Sequence, residues 1–186
     1  MAKGFLQQYG LDYKETFSPN VKPTTKRIIL AMAVQHNWSL KLFFFFFEKP
    51  SLKQLDVSNA FLHGGLHEEV FMSQPSSYVD PEHPTHVCLL HKAIYGLKQA
   101  PRAWFESFTS QLFHIGFHAS SADSNLFILH HGSFVIYLLL YVDDIIITGN
   151  SPPFIDQLIS SLSAAFDLKN LGLLKFFLGL QIEYTS

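Results

Sequence analysis

Two adjacent carboxylates, Asp143 and Asp144, interrupt the otherwise aliphatic stretch LLLYVDDIIITG at residues 138–149. Their flanks, Leu138–Tyr141 and Ile145–Ile147, read as buried strands, which leaves room only for a tight hairpin turn between them. One Asp at a hairpin tip is ordinary, because Asp tolerates turn conformations. Two are less so: adjacent like charges repel and gain nothing unless a cation or cationic side chain lies between them. A third carboxylate, Asp56, stands between Leu55 and Val57 in a strand-like alternation. If strand 54–61 lies beside the hairpin, the three carboxylates cluster. Hard oxygen donors select Mg²⁺ or Mn²⁺. Two such ions about 3.5–4 Å apart are a common device for in-line displacement at phosphorus. A turn Asp plus a buried Asp is the alternative that the residues leave open.

The elements that must position these groups follow from periodicity. Thr24 or Thr25 can cap a helix whose one face carries Ile28, Ile29, Met32 and Ala33, ending near Asn37. The strand through Asp56 ends at Gly64-Gly65. Residues 73–86, with three prolines, read as a loop, and VCLLHKAIYG as a short strand or hairpin. Pro101 suits the first turn of a helix with Trp104, Phe105, Phe108, Leu112 and Ile115 on its apolar face, stopped by Gly116. Consecutive strands then turn at His131-Gly132-Ser133 and at the Asp pair. Ser151 caps a last helix with Phe154, Ile155, Leu158, Ile159, Leu162 and Phe166 on its buried side, and LKFFLGLQIEY closes as a strand or hairpin arm. This order predicts an α+β fold, an antiparallel sheet with helices packed on one face.

Composition sets bounds. Of 186 residues, 48% are hydrophobic and 15% charged, so a sizeable core is expected and disorder is not. The net charge of −2 does not advertise a nucleic-acid binder. Cys88 is the single cysteine, which excludes an internal disulfide and fits a reducing compartment. No charged segment followed by an apolar one stands at the start, so a signal peptide is not expected, and the longest apolar runs fall far short of the roughly 20 residues that span a bilayer. His63 with His67, and His83 and His86 with Cys88, have loose zinc-like spacing, but surface-loop histidines explain them better. No GxxxxGK[ST] phosphate loop is present. A receiver-type phosphoacceptor domain also uses an Asp pair and a distant Asp. It needs the pair early, in a parallel α/β pattern, and the order here is reversed.

Taken together, QLDVSNAFLHG, AIYGLKQAPRAWF, LLLYVDDIIITG and LKNLGLLKFFLG resemble, in order and spacing, the reverse transcriptase of copia-type long-terminal-repeat retrotransposons. AKGFLQQYGLDYKETFSP and EEVFMSQPSSYVDPEHPTHVCLLHKA extend the resemblance over nearly the whole chain. It implies a right-hand polymerase palm with partial fingers, one domain fragment over residues 1–186. It implies an RNA-directed DNA polymerase working by two-metal nucleotidyl transfer from dNTPs, with Mg²⁺ or Mn²⁺ as cofactor. Asp56, Asp143 and Asp144 would be catalytic. Asp56 and Asp143 would hold metal directly, Asp144 would support them, and the Val57 carbonyl would complete one shell. Phe61 matches the aromatic that excludes a ribose 2′-OH, although a core Phe is the plainer reading. Tyr95, Gly96, Lys98, Gln99 and Pro101 match the segment lining nucleotide and template, which is also a turn before a helix. Lys3 matches a fingers lysine near the triphosphate. Lys169 matches a general acid for the leaving pyrophosphate, against the alternative of a solvated turn lysine. The implied partners are a primer–template and dNTPs, with no membrane, in a cytoplasmic virus-like particle.

Three departures qualify the resemblance. WSLK, residues 38–41, would run straight into QLDV, but LFFFFFEKPSLK, residues 42–53, intervenes. This Phe-rich insertion is expected to loop out and to present an aggregation hazard. Gly65 stands where the family has an acidic residue. The chain is expected to lack the first fingers strand, thumb and RNase H, and hence to grip primer–template poorly. A decayed, non-catalytic remnant that keeps the fold is therefore the second reading.

Overall fold

The computed structural model describes residues 2–38, 60–142 and 144–166, and the backbone of 41–44, 169–173, 176–177 and 180–181. Its elements are α1 (Pro23–Gln35), β1 (Lys41–Phe44), β2 (Gly65–Ser73), β3 (Val87–Lys92), α2 (Ala100–Ile115), β4 (His118–Ala119), β5 (Leu126–His131), β6 (Phe134–Tyr141), β7 (Asp144–Gly149), α3 (Pro152–Phe166), β8 (Lys169–Leu173), β9 (Phe176–Phe177) and β10 (Leu180–Gln181). Contacts group them into two units, residues 1–18 with 59–110, and 19–58 with 111–186.

In the second unit the long apolar runs build a six-stranded sheet in the order β4-β5-β6-β7-β1-β8, with every pairing antiparallel. Gly132, at φ 60°, makes the tight β5–β6 turn that the sequence predicts. Asn150 locks the strand ends, accepting from Val135 N at 2.8 Å and donating to Ser133 O at 2.8 Å. Three successive leucines, Leu138–Leu140, and three isoleucines, Ile145–Ile147, are all buried. Successive strand residues face opposite ways, so both faces of these strands are covered. Leu139 and Ile146 pack with Ile29 and Ala33 of α1. On the other face, where Phe127, Leu138 and Ile147 share a rung, the Phe113 ring at the end of α2 lies 6.0 Å from the Phe127 ring, tilted by 58°. The expectation of helices on one face is thus corrected. Unbroken apolar runs, unlike alternating ones, signal two covered faces.

α3 buries Ile155, Leu158, Ile159, Leu162 and Phe166, as its periodicity predicts. α1 differs. It starts at Pro23 with Lys22 as its cap residue, not at Thr24 or Thr25, and Ile28 is exposed. The cause is a long-range contact. Buried Asp123 accepts from Lys22 N at 2.9 Å and from Asn125 N at 3.0 Å, fixing where the helix begins. β1 also differs from expectation. The start of the Phe run does not loop out: Leu42–Phe44 lies in a strand inside the sheet.

In the first unit, β2 and β3 form a hairpin around the loop expected over 73–86, which begins one residue later because Ser73 ends β2. Leu66, Glu68, Val70 and Met72 alternate inward along β2, a strand the sequence reading did not assign. Glu68 broke the apolar pattern, and Arg102 of α2 meets it at 2.8 Å. Residues 60–63 form a 3₁₀ turn, not the end of a strand. Gly64 then packs against α2 so closely that a Cβ would lie 2.7 Å from the Trp104 nitrogen. Gly64→Ala is expected to destabilise the chain by about 1–3 kcal/mol, as overpacking does, measured by denaturant unfolding.

Candidate active site

The hairpin β6–β7 closes with Tyr141 paired to Asp144, so two residues connect the strands. Two-residue hairpins need positive φ at the first central residue, and Val142 has φ 54°. The sequence reading assigned the turn's tolerance to Asp, yet a β-branched residue carries the left-handed conformation. Such an outlier costs about 1–3 kcal/mol and persists only where the surroundings over-determine it. Here the buried Leu140–Ile145 and Leu139–Ile146 pairs fix both strands. Val142→Gly is expected to relieve the strain. Glycine's larger unfolded-state entropy offsets part of this, leaving a gain of about 1 kcal/mol, seen as a higher unfolding midpoint.

Asp144 is half-buried at the first position of β7. Its Cα is paired with that of Phe44 in β1, and Phe44 is paired in turn with Lys169 in β8. One rung therefore runs Asp144, Phe44, Lys169. With strands about 4.8 Å apart, its ends are about 10 Å apart at Cα. Lys169 opens a strand; it does not sit in a turn. Asp56, Val57 and Asp143 lie outside the described residues. Among the described residues no group of three or more His, Cys, Asp or Glu could hold a metal ion. The Asp144 carboxylate, beside the strained Val142, is a hard oxygen donor and fits a divalent cation chemically.

The other predicted residues gather in the first unit. The Phe61 ring lies 4.8 Å from that of Tyr95 and packs on the cluster of Val70, Ala93, Leu97, Ala100 and Ala103. Gly96 adopts φ 96°, and Gly4 lies against its carbonyl. Ala2 N donates to Tyr95 O at 2.9 Å, so the N-terminal segment docks on this turn. Gln99 is fully buried. Its amide accepts from Gln7 Nε2 at 3.0 Å and donates to Asp12 O at 3.0 Å. Lys98 is exposed. Its Nζ donates to Tyr13 Oη at 3.2 Å and lies 5.0 Å over that ring. Lys3, Gln7, Asp12, Val70, Met72 and Leu97 help to line a cleft of about 420 Å³ in this unit. Lys3 and the YGLKQ turn thus share one neighbourhood, although Gln99 spends its polar atoms holding the N-terminal segment. The Glu68–Arg102 pair was missed; its signal is a charged residue at an inward position of a period-2 run.

The comparisons agree with the motifs. Retrovirus-related Pol polyproteins from transposons RE1 and RE2 of Arabidopsis thaliana are 46% and 47% identical to the chain over 183 residues, 98% of it. That from transposon TNT 1-94 of Nicotiana tabacum is 40% identical over 190 residues, 100% of the chain. The chain spans 12–13% of the length of these relatives. No solved structure matches it. A family model for reverse transcriptase (RNA-dependent DNA polymerase) matches residues 1–186 throughout, and the chain belongs to that family.

Proposed function

We propose that the chain is the palm and partial fingers of an RNA-directed DNA polymerase. The second unit is read as palm, and the first as fingers. The observation that carries the proposal is the strained, over-determined turn at Val142, which sets Asp144 at the turn end of a buried hairpin. Asp56 and Asp143 would hold the divalent cations, and Asp144 would support them. When bound, two such ions activate the primer hydroxyl and neutralise charge on the leaving phosphates. The protein's own part is positional. The hairpin strands are buried, so Asp144 stands on a strand held by the core and not on a mobile loop. Phe61, wedged on Tyr95, would sit beneath the sugar and exclude a 2′-hydroxyl. Lys3 and Lys98 are exposed cations beside the same turn and would attract the triphosphate.

The test is extension of a DNA primer on an RNA template by the chain as it stands and by a chain lacking residues 42–53. The expected result is dNTP incorporation that needs Mg²⁺ or Mn²⁺, with Phe61→Ala admitting ribonucleotides. Absence of extension by both folded proteins would reject the proposal. A second reading, a non-catalytic remnant, is favoured by one observation: a residue of the Phe run, not a carboxylate, pairs with Asp144.

A further inference from the structure

One tripeptide occurs twice, twelve residues apart, as Ser39-Leu40-Lys41 and Ser51-Leu52-Lys53. The first copy runs into Leu42-Phe43-Phe44 and the second into Gln54-Leu55-Asp56. Phe44 and Asp56 each stand three residues after their lysine. In the structure Lys41–Phe44 is β1, with β7 on one side and β8 on the other. The other edge of β7 is taken by β6. A strand has two edges, and its backbone N–H and C=O groups are used up by two neighbours. A strand through Asp56 can therefore join β7 only by replacing β1.

We propose that the two copies are alternative occupants of this one strand position, and that the Phe copy, by holding it, keeps Asp56 off the rung of Asp144. A slide of twelve residues would set Lys53 opposite Ile147, Gln54 opposite Ile146, Leu55 opposite Ile145 and Asp56 opposite Asp144, by the register that β1 now follows. Twelve is even, so the slide preserves which residues share a face. The preference between copies follows from composition. Phe is enriched in strands and Asp depleted. Like charges directly opposite destabilise a ladder, so Asp56 against Asp144 is disfavoured without a cation. A divalent ion favours the second copy, because only that pairing brings a third carboxylate to the hairpin. The strand exchange stands on the repeat and the sheet order. Its consequence, a polymerase held in an inactive pairing by a repeat of its own strand, rests on the function proposed above.

Hydrogen exchange with mass spectrometry tests the exchange without reference to activity. The proteins are the full chain, Phe43→Pro, and a chain in which Lys41 is joined to Gln54. Proline cannot donate to a ladder and is excluded from central strands. In the full chain, residues 41–44 are expected to exchange slowly and 54–57 fast. In Phe43→Pro and in the joined chain, slow exchange is expected to shift to 54–57 while Ile145–Ile147 keep their protection. Adding Mn²⁺ to the full chain is expected to shift protection the same way. Fast exchange at 54–57 in the joined chain would overturn the proposal, as would collapse of β7 protection in Phe43→Pro. Primer extension by the joined chain separates the two ideas. A protection shift without extension keeps the strand exchange and removes the polymerase; extension without a shift does the reverse.

Discussion

Asp144→Asn is expected to lower metal-dependent primer extension by about 10–100-fold, the range seen when a group supporting metal ligands is lost. Asp143→Asn is expected to lower it further, because a direct ligand is removed. Asn keeps the size and shape of the side chain, so the turn and the Tyr141–Asp144 pairing should survive. The change also removes one of two adjacent like charges, so thermal stability without metal should hold or rise slightly. This separates a site effect from a folding effect: extension falls while the unfolding midpoint does not. The assay should be run on the full chain and on the chain lacking residues 42–53. Undiminished extension by Asp144→Asn would remove Asp144 from the metal site.

Arg102→Met is expected to destabilise the protein by about 3–5 kcal/mol, because it leaves the Glu68 carboxylate without its partner inside the first unit. The side chains are only 18% and 13% exposed, and Nη2 to Oε1 is 2.8 Å, so solvent screening does little here. The pair's surroundings sharpen the effect. Glu68 Oε2 has no hydrogen-bond partner, and Glu106, the next carboxylate, lies 3.8 Å from Arg102 Nε. Met fills much of the arginine's apolar stem, so the loss isolates charge from packing. The double change Glu68→Met, Arg102→Met should recover most of the stability, since an apolar pair replaces an imperfectly satisfied ionic one. Denaturant midpoints with unchanged slopes would measure both. A loss under about 0.5 kcal/mol for Arg102→Met would mean that the pair acts as an exposed one.

Much of this was legible because helices and antiparallel strands leave clean periods. α2 and α3 were read with their buried faces, and the β5–β6–β7 meander with its two turns. What failed did so for physical reasons. The Phe run has no period, so nothing in it distinguishes a strand from a loop, and β1 emerged only from its pairing with β7 and β8. The start of α1 depends on Asp123, about a hundred residues away, which no local capping rule sees. β2 was hidden by Glu68, whose partner lies on another element. At the site, Phe61, Tyr95, Gly96, Lys98 and Gln99 were grouped by resemblance and are close in space, yet Gln99 is also a buried clamp. Lys169 was weighed as a turn residue and stands at a strand start, on the rung of Asp144.

The central claim is that the hairpin aspartates hold divalent metal, and iron-mediated cleavage tests it most directly. Fe²⁺ substituted for Mg²⁺ generates radicals that cut the backbone beside the bound ion. In the chain lacking residues 42–53, the account predicts cuts at 142–144 and around Asp56, suppressed by excess Mg²⁺ and absent from an Asp143→Asn, Asp144→Asn double variant. Cuts confined to the loop of His83 and His86, or cuts that survive the double variant, would contradict it.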